Sequence, residues 1–384
     1  MKKLKAAVIG MGYISPSHIE SIRRTGIAEV KACTDVNHEL AKQKAAEMNI
    51  EYVYDSVEEI LNDPEIDVIH NCTPNFLHKE ISEKIIKAGK HLFSEKPLAR
   101  NSEESAVLVD LLKKNPDIVA AVNFIYRMNP LVQDMKDKVA EGEYGKPRLV
   151  HGSYLQDWLL YDTDYNWRLE KEFSGESNSI ADIGSHWIDT AQTVLNSKIV
   201  NVFSSLKTNI PVRKKAKGMV EAFSKQENQD YEDKKVDVED SGMVMVEFDN
   251  GTQGMFLVSQ VSAGRKCRLD LEINGSEASC YWNQEMADQM WVGHRDKPNQ
   301  QVIRNPQLMS PHSQQHTNLA AGHPEGWNDA MTSNVRSFYK FILDNKKLAT
   351  DKPDFATFEE AHYIIRLVEA ILESNLTKKW VNIQ

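Results

Sequence analysis

The chain reads as an α/β protein of two domains, an N-terminal doubly wound parallel sheet followed by an α+β domain on a predominantly antiparallel sheet. Three observations predict this. At 384 residues the chain is too long for one ordinary core. Its first third alternates short β-branched runs with stretches of helical spacing, the pattern of a parallel sheet covered on both faces. Its later part carries strand-like runs joined by short turns, which favours antiparallel pairing. The change of texture divides the chain into 1–125 and 126–384.

In the first domain the strands fall at 5–9, 30–34, 67–71, 91–94 and 118–124. Helices fall between or after them at 16–25, 39–49, 57–62, 77–88 and 103–115. Gly26 and Gly89 punctuate helix ends, where a left-handed residue is wanted. Asn101, ahead of Ser102-Glu103-Glu104, suits an N-cap. In the second domain a helix is expected over 178–195 and strands at 244–248, 254–260, 268–273 and 278–282. Asp249-Asn250-Gly251 is a hairpin turn between two of these strands. Helices at 328–343 and 357–374 close the chain. Two polar stretches read as irregular: 214–237 as a mobile excursion, and 295–326 as a loop long enough to suggest a function.

Composition narrows the partners. Hydrophobic and charged fractions of 41% and 27% are those of a soluble globular protein. A formal charge of −10, with no basic stripe, argues against nucleic acid. No run has the length of a membrane-spanning helix, and the apolar run after Lys2, Lys3 and Lys5 is too short for a signal peptide. Cys33, Cys72, Cys267 and Cys280 lack metal or redox spacing and read as small apolar residues of a reducing compartment. A cytoplasmic protein without a membrane partner is expected.

Val8-Ile9-Gly10-Met11-Gly12-Tyr13-Ile14-Ser15 places G-x-G between a strand and a helix. Gly10 permits the tight turn, and Gly12 lets the backbone approach a pyrophosphate at the helix N-terminus. Tyr13 and Ile14 complete the contact segment, while Ser15 replaces the third small residue of the fingerprint. Asp35 ends the second strand, where an acid binds ribose hydroxyls and repels a 2′-phosphate. The expected cofactor is therefore NAD rather than NADP. Thr73, Pro74, Asn75 and His78 follow another strand of the same sheet and are further candidates for lining it. Capping of the next helix is the competing role for Asn75, and a structural role competes for His78.

Lys96, in Glu95-Lys96-Pro97, follows the run His91-Leu92-Phe93-Ser94. Ligands of such sheets bind beyond the carboxyl ends of the strands. A lysine there suits the proton that leaves or joins an alcohol during hydride transfer, and Glu95 shares its place beside the cofactor. Asp182-Ile183-Gly184-Ser185-His186-Trp187-Ile188-Asp189 is the second stretch with chemistry. Helical spacing puts Asp182, His186 and Asp189 on one face, and a carboxylate can orient an imidazole for acid–base work. An ordinary helix ladder or a D-x-x-x-H-x-x-D metal site are the alternatives. No Cys or further His completes a ligand set, so no metal is expected.

Taken together, the G-x-G turn, Thr73-Pro74-Asn75, Glu95-Lys96-Pro97 and Asp182-x-Gly184-x-His186-x-x-Asp189 resemble the Gfo/Idh/MocA family, the glucose–fructose oxidoreductase and inositol dehydrogenase family. The resemblance covers essentially the whole chain. It implies an N-terminal Rossmann domain, a C-terminal domain on a large open sheet, and oligomers formed through that sheet, here a homodimer or homotetramer. It also implies NAD(P)-dependent oxidation of a ring secondary alcohol in a sugar, an anhydrosugar or an inositol. By the same resemblance Lys96, Asp182 and His186 are the catalytic trio, with His186 as acid/base. Tyr126, Arg127, Gln156, Trp158, Arg168 and His323 join Asp182 and His186 as substrate candidates, since amides, guanidinium groups and an aromatic ring suit a carbohydrate or polyol. Trp167 has the competing role of a core residue. A redox-neutral, glycoside-cleaving use of NAD is the rival reaction, and a non-catalytic NAD-binding regulator is the other reading.

Overall fold

The computed structural model describes residues 3–216 and 230–383, which form two compact units. The first comprises Met1–Met128 and Trp327–Tyr363, the second Asn129–Gly326 and Ile364–Gln384. The sequence-based division placed everything after residue 125 in the second domain, whereas Trp327–Tyr363 clusters with the first.

The first unit opens with β1 (Leu4–Ile9), α1 (Ser15–Thr25), β2 (Ala28–Thr34), α2 (His38–Glu47), β3 (Tyr52–Val53) and α3 (Val57–Asn62). It continues with β4 (Val68–Asn71), α4 (Asn75–Lys87), β5 (His91–Ser94), α5 (Ser102–Lys113) and β6 (Ala120–Val122). Among the described residues six strands pair in the order β3-β2-β1-β4-β5-β6, all parallel. β4 and β6 are buried along their whole length, and β1 and β5 nearly so, as strands with helices on both faces must be. The order reverses between β1 and β4, so the strand ends beside that point form the ligand crevice of such sheets. The capping expectations hold: Gly26 closes α1 in the left-handed region, and Asn101 accepts from the Glu104 amide at 2.8 Å.

The second unit begins with α6 (Pro130–Ala140), β7 (Pro147–Leu155), α7 (Lys171–Ser174), α8 (Ser185–Leu195), β8 (Ile199–Lys207), β9 (Val212–Ala216) and β10 (Tyr231–Lys235). β11 (Ser241–Phe248), β12 (Gln253–Ser259), β13 (Arg268–Gly275), β14 (Ser279–Asn283), β15 (Gln289–Gly293), β16 (Gln300–Ile303) and α9 (Pro311–Gln314) follow. α10 (Trp327–Leu343) belongs to the first unit, where it packs with α1 through Met331, Val335, Phe338 and Tyr339. α11 (Phe358–Thr377) runs from the first unit into the second, and β17 (Val381–Asn382) ends the chain. Among the described residues nine strands pair in the order β16-β15-β14-β13-β7-β12-β11-β8-β17, antiparallel except for β7 beside β12. The Asp249-Asn250-Gly251 turn joins β11 to β12 as expected. α8 lies on one face of this sheet: Trp187 stacks on Phe256 and donates to the Asp270 carbonyl at 3.1 Å. Gly152 makes that approach possible, because a Cβ there would lie 2.6 Å from the indole nitrogen and 2.0 Å from the Asp270 carbonyl oxygen.

Three expectations change. The ends of the 214–237 stretch belong to a hairpin, β9 with β10, while the rest of it at 217–229 lies outside the described residues. The 295–326 stretch contains β16 and α9 rather than loop alone, because the strand run of β15 carries on through a turn into an antiparallel partner. The helix expected over 178–195 opens with a π-turn, Ile180–Gly184, before α8.

Candidate active site

The turn after β1 is built for a close neighbour. Gly10 has φ +91°, and a Cβ there would meet the Cys72 carbonyl oxygen at 2.7 Å, so only glycine fits. At Gly12 a Cβ would meet nothing within 4 Å, so its backbone is open to a ligand. Ser15, fully buried at the start of α1, donates to the Gly12 carbonyl at 2.9 Å, so the small residue at the third fingerprint position satisfies its own hydroxyl. Tyr13 is exposed, and Ile14 occupies the N-cap of α1 and packs on the core. Asp35 accepts the Met11 amide on Oδ2 at 2.7 Å and the Asn37 amide on Oδ1 at 2.8 Å. Each oxygen keeps a second lone pair for a ribose hydroxyl. Tight turn, open backbone, helix N-terminus and anchored acid together fit a dinucleotide.

The loops after β4 and β5 are fastened to each other. Buried His78 places Nδ1 2.5 Å from the Pro97 carbonyl oxygen and Nε2 2.7 Å from that of Thr73. Burial, only partly offset by these carbonyls, holds its imidazole below the usual value. His78 therefore acts on the Thr73 and Pro97 backbones. Thr73 gives its hydroxyl and amide to Asn71 Oδ1. The N-cap of α4 is Pro74, without a side-chain cap, so capping does not account for Asn75. The Lys96–Pro97 peptide is cis. Glu95 Oε1 accepts from His18 Nε2 at 2.9 Å and Asn123 Nδ2 at 2.6 Å. Burial pushes this carboxyl up, but His18, Asn123 and the Lys96 charge outweigh it and hold it at about 2. Tyr126 is buried, and buried Arg127 directs Nη1 to Glu360 Oε1 at 3.4 Å and the Asp354 carbonyl at 3.5 Å. Arg127 thus serves the start of α11 within its own unit.

In the second unit the π-turn sets Asp182. Glu239 Oε1 accepts from the Ser177 hydroxyl at 2.7 Å and from the amides of Ile180 and Asn178 at 2.9 and 3.0 Å. Burial nevertheless raises the Glu239 carboxyl above its usual value. Asp182 Oδ2 accepts from Gln260 Nε2 at 2.8 Å, and Oδ1 lies 3.8 Å from Arg168 Nε. Gln260 is fully buried, and its Oε1 accepts from Asn178 Nδ2 at 2.7 Å, which fixes the amide's orientation. The wider π-turn means that the regular ladder expected from Asp182 through His186 to Asp189 is not kept at its first rung. His186 is buried in the first turn of α8, its ring 6.1 Å from that of Tyr154. The Arg168 guanidinium lies 4.5 Å over the Trp167 ring, which makes Trp167 its platform. Gln156 Oε1 is buried with no hydrogen-bond partner among the described residues, and Trp158 packs on a small cluster of Leu159, Leu169, Val236 and Val238. His323 is exposed, and its carbonyl accepts from Arg304 Nη2 at 2.6 Å. The loop around it is held by buried Glu325, which takes the Asn318 and Leu319 amides, both at 2.8 Å.

Gln260, Glu239 and Asn178 went unnoticed in the sequence. Gln260 had one signal, its place at the end of the 254–260 strand run.

Residues 4–124 match the model of an oxidoreductase family with an NAD-binding Rossmann fold, and residues 132–281 match the Gfo/Idh/MocA C-terminal domain. The chain belongs to the Gfo/Idh/MocA oxidoreductase family. A levoglucosan dehydrogenase of Pseudarthrobacter phenanthrenivorans is 29% identical over an alignment covering all of this chain and 99% of the relative. A 1,5-anhydro-D-fructose reductase of Ensifer adhaerens is 35% identical over 46% of this chain and 52% of its own. A levoglucosan dehydrogenase solved with NADH and L-sorbose superimposes with a TM-score of 0.89 at 28% identity, covering 100% of this chain and 99% of that one. An inositol dehydrogenase homologue of Azotobacter vinelandii, solved with NAD+, shares the fold at 22% identity and a TM-score of 0.85, covering 100% and 98%. As a member of this family the chain is an NAD-binding oxidoreductase. Among the described residues no helix is long and apolar enough to cross a membrane, and the four cysteines are free.

Proposed function

We propose that this Gfo/Idh/MocA oxidoreductase oxidises a ring secondary alcohol of a sugar, an anhydrosugar or an inositol, using NAD in preference to NADP, in the cytoplasm. The observation that carries the reading is the Asp182 carboxylate, held between Gln260 and Arg168 on the π-turn that leads into α8, whose first turn carries buried His186. A carboxylate, a guanidinium and an amide fixed in this way offer acceptors and donors to neighbouring hydroxyls of one ring. Gln156, whose buried Oε1 has no hydrogen-bond partner among the described residues, offers another acceptor. The levoglucosan dehydrogenase likeness, end to end, supports the same substrate class.

Gly10, Gly12 and Asp35 would hold the cofactor, with Thr73, Pro74, Asn75 and Glu95 lining its nicotinamide side. The bound nicotinamide supplies a hydride acceptor. His186 takes the hydroxyl proton as the carbon loses hydride and returns it in the reverse direction. The Lys96 ammonium stabilises the oxygen's developing negative charge. Asp182 binds a hydroxyl and holds the polar array together.

The test is absorbance at the reduced-nicotinamide band with NAD and then NADP, against inositols, aldohexoses, anhydrosugars and model glycosides. NADH formation with one class is expected. His186→Ala and Lys96→Met should each lower kcat by roughly 10²–10⁴ while NAD binding stays nearly intact. Full activity in either variant would remove the acid–base assignment. Aglycone release without NADH would establish the redox-neutral reaction instead.

A further inference from the structure

One row of polar groups inside the first unit is not used by the mechanism above. Tyr339 on α10, His70 on β4 and His18 on α1 are all fully buried, and they run in series to Glu95. Tyr339 Oη lies 3.0 Å from His70 Nε2, His70 Nδ1 lies 2.8 Å from His18 Nδ1, and His18 Nε2 lies 2.9 Å from Glu95 Oε1. Only one end of this row is a fixed acceptor, the carboxylate. Two assignments of protons satisfy every nitrogen, one running from Tyr339 through His70 to a neutral His18 and the other with a protonated His18 donating to His70 Nδ1 while His70 Nε2 donates to Tyr339, and in both His18 Nε2 donates to Glu95. Burial keeps both inner groups neutral, since it holds the His70 imidazole well below its usual value and pushes the Tyr339 phenol well up.

The row costs the fold three fully buried polar side chains where apolar ones would pack, so its hydrogen bonds must specify something. What it specifies is the carboxylate beside Lys96. Glu95 Oε2 takes the Lys96 amide at 3.3 Å, and the Lys96 charge acts on the Glu95 carboxyl. The other titratable groups that face Glu95 are His18 from α1, Cys72 from the end of β4 and His78 from α4. Asn123, after β6, is its neutral donor, and is itself held by Asn334 at 2.9 Å.

We propose that His18 is a positioning residue for the reaction: through the row Tyr339–His70–His18 it holds the Glu95 carboxylate fixed and ionised beside Lys96. The inference rests on Lys96 being a catalytic group. Without the donor on His18, Glu95 becomes a buried carboxylate with fewer hydrogen bonds, and burial then drives it towards the neutral form. A neutral Glu95 no longer balances the Lys96 charge or fixes its loop.

The experiment uses the full chain as wild type, His18→Leu and His18→Gln. It follows kcat and KM for NAD from pH 5 to 9, NADH binding by fluorescence, and Tm at each pH. The Gln amide can donate to Glu95 and accept from His70, so it should restore much of what Leu removes. His18→Leu should lose roughly tenfold or more in kcat at the acid end and recover part of it as pH rises, with KM for NAD little changed. In the wild type the Glu95 carboxyl is depressed to about 2 from a usual 4.5, so its contribution to stability is complete above 4.5 and lost as pH falls towards 2. In His18→Leu burial is opposed only by Asn123 and the Lys96 charge and drives the folded value upward, which favours the variant at low pH. The Tm gap to wild type should therefore narrow as pH falls from 7 to 5. Equal losses in the Leu and Gln variants, with an unchanged pH profile and a constant Tm gap, would overturn the proposal and leave His18 as packing only. Should the wild type reduce no NAD with any carbohydrate, the proposed reaction fails, and the pH dependence of the Tm gap still decides the row.

Discussion

Asp35 shows how much a single side chain can set. Its oxygens are already anchored by the Met11 and Asn37 amides, so its negative charge is fixed in place at the end of β2. Asp35→Asn keeps an acceptor and removes the charge. We expect the NAD-over-NADP ratio of kcat/KM to fall by roughly tenfold, the scale of one lost charge–phosphate repulsion at a surface site. An unchanged ratio would show that discrimination lies elsewhere. At this scale the sequence offers candidates wherever chemistry travels with a short motif. Gly10, Gly12, Asp35, Lys96, Asp182 and His186 all stand in such motifs. Gln260 and His18 do not. Gln260 reaches Asp182 across 78 positions and His18 reaches Glu95 across 77, so their roles exist only after the strands and helices have assembled. Arg127 stands in a short motif too, and its guanidinium also directs Nη1 to Glu360, 233 positions away in its own unit.

Among the elements, periodicity located most of the first unit's strands and helices within a few residues, because each is a local run bounded by its own caps. The two-residue β3 was too short to show any period. In the second unit the pairing of β7 between β13 and β12 depends on segments about a hundred residues away, which no local pattern encodes. The π-turn was equally hidden, since it depends on Glu239, from a distant segment, taking the amides at its start. The contact of α8 with the sheet has a sharp test. Gly152→Ala would push a methyl into the Asp270 carbonyl and the Trp187 indole, so it should cost about 1–3 kcal/mol or more of unfolding free energy. Denaturant unfolding measures it. A neutral result would mean that α8 can lift from β7 without loss.

At the scale of the molecule, the nine-stranded sheet carries α8 on one face and leaves side chains of the other outward. Met243 and Met245 of β11 stand opposite Leu257 and Met255 of β12, and all four are exposed in the single chain. An apolar strip of this kind is a contact surface in soluble proteins. We expect a homodimer or homotetramer by sedimentation, and a shift towards monomer in Met245→Lys/Met255→Lys. A wild type that sediments as a monomer at micromolar concentration would end that expectation. The chain path has a separate consequence, for synthesis. The first unit lacks α10 until residues 327–343 are made, about 200 positions after Met128. At roughly 5–20 residues per second the ribosome needs about 10–40 s to supply it. During that interval Ile19 and Ile22 of α1 have no α10 to cover them, and Tyr339 has not yet reached His70. The nascent N-terminal portion therefore presents a greasy flank to chaperones, and its polar row closes only once Tyr339 has been made.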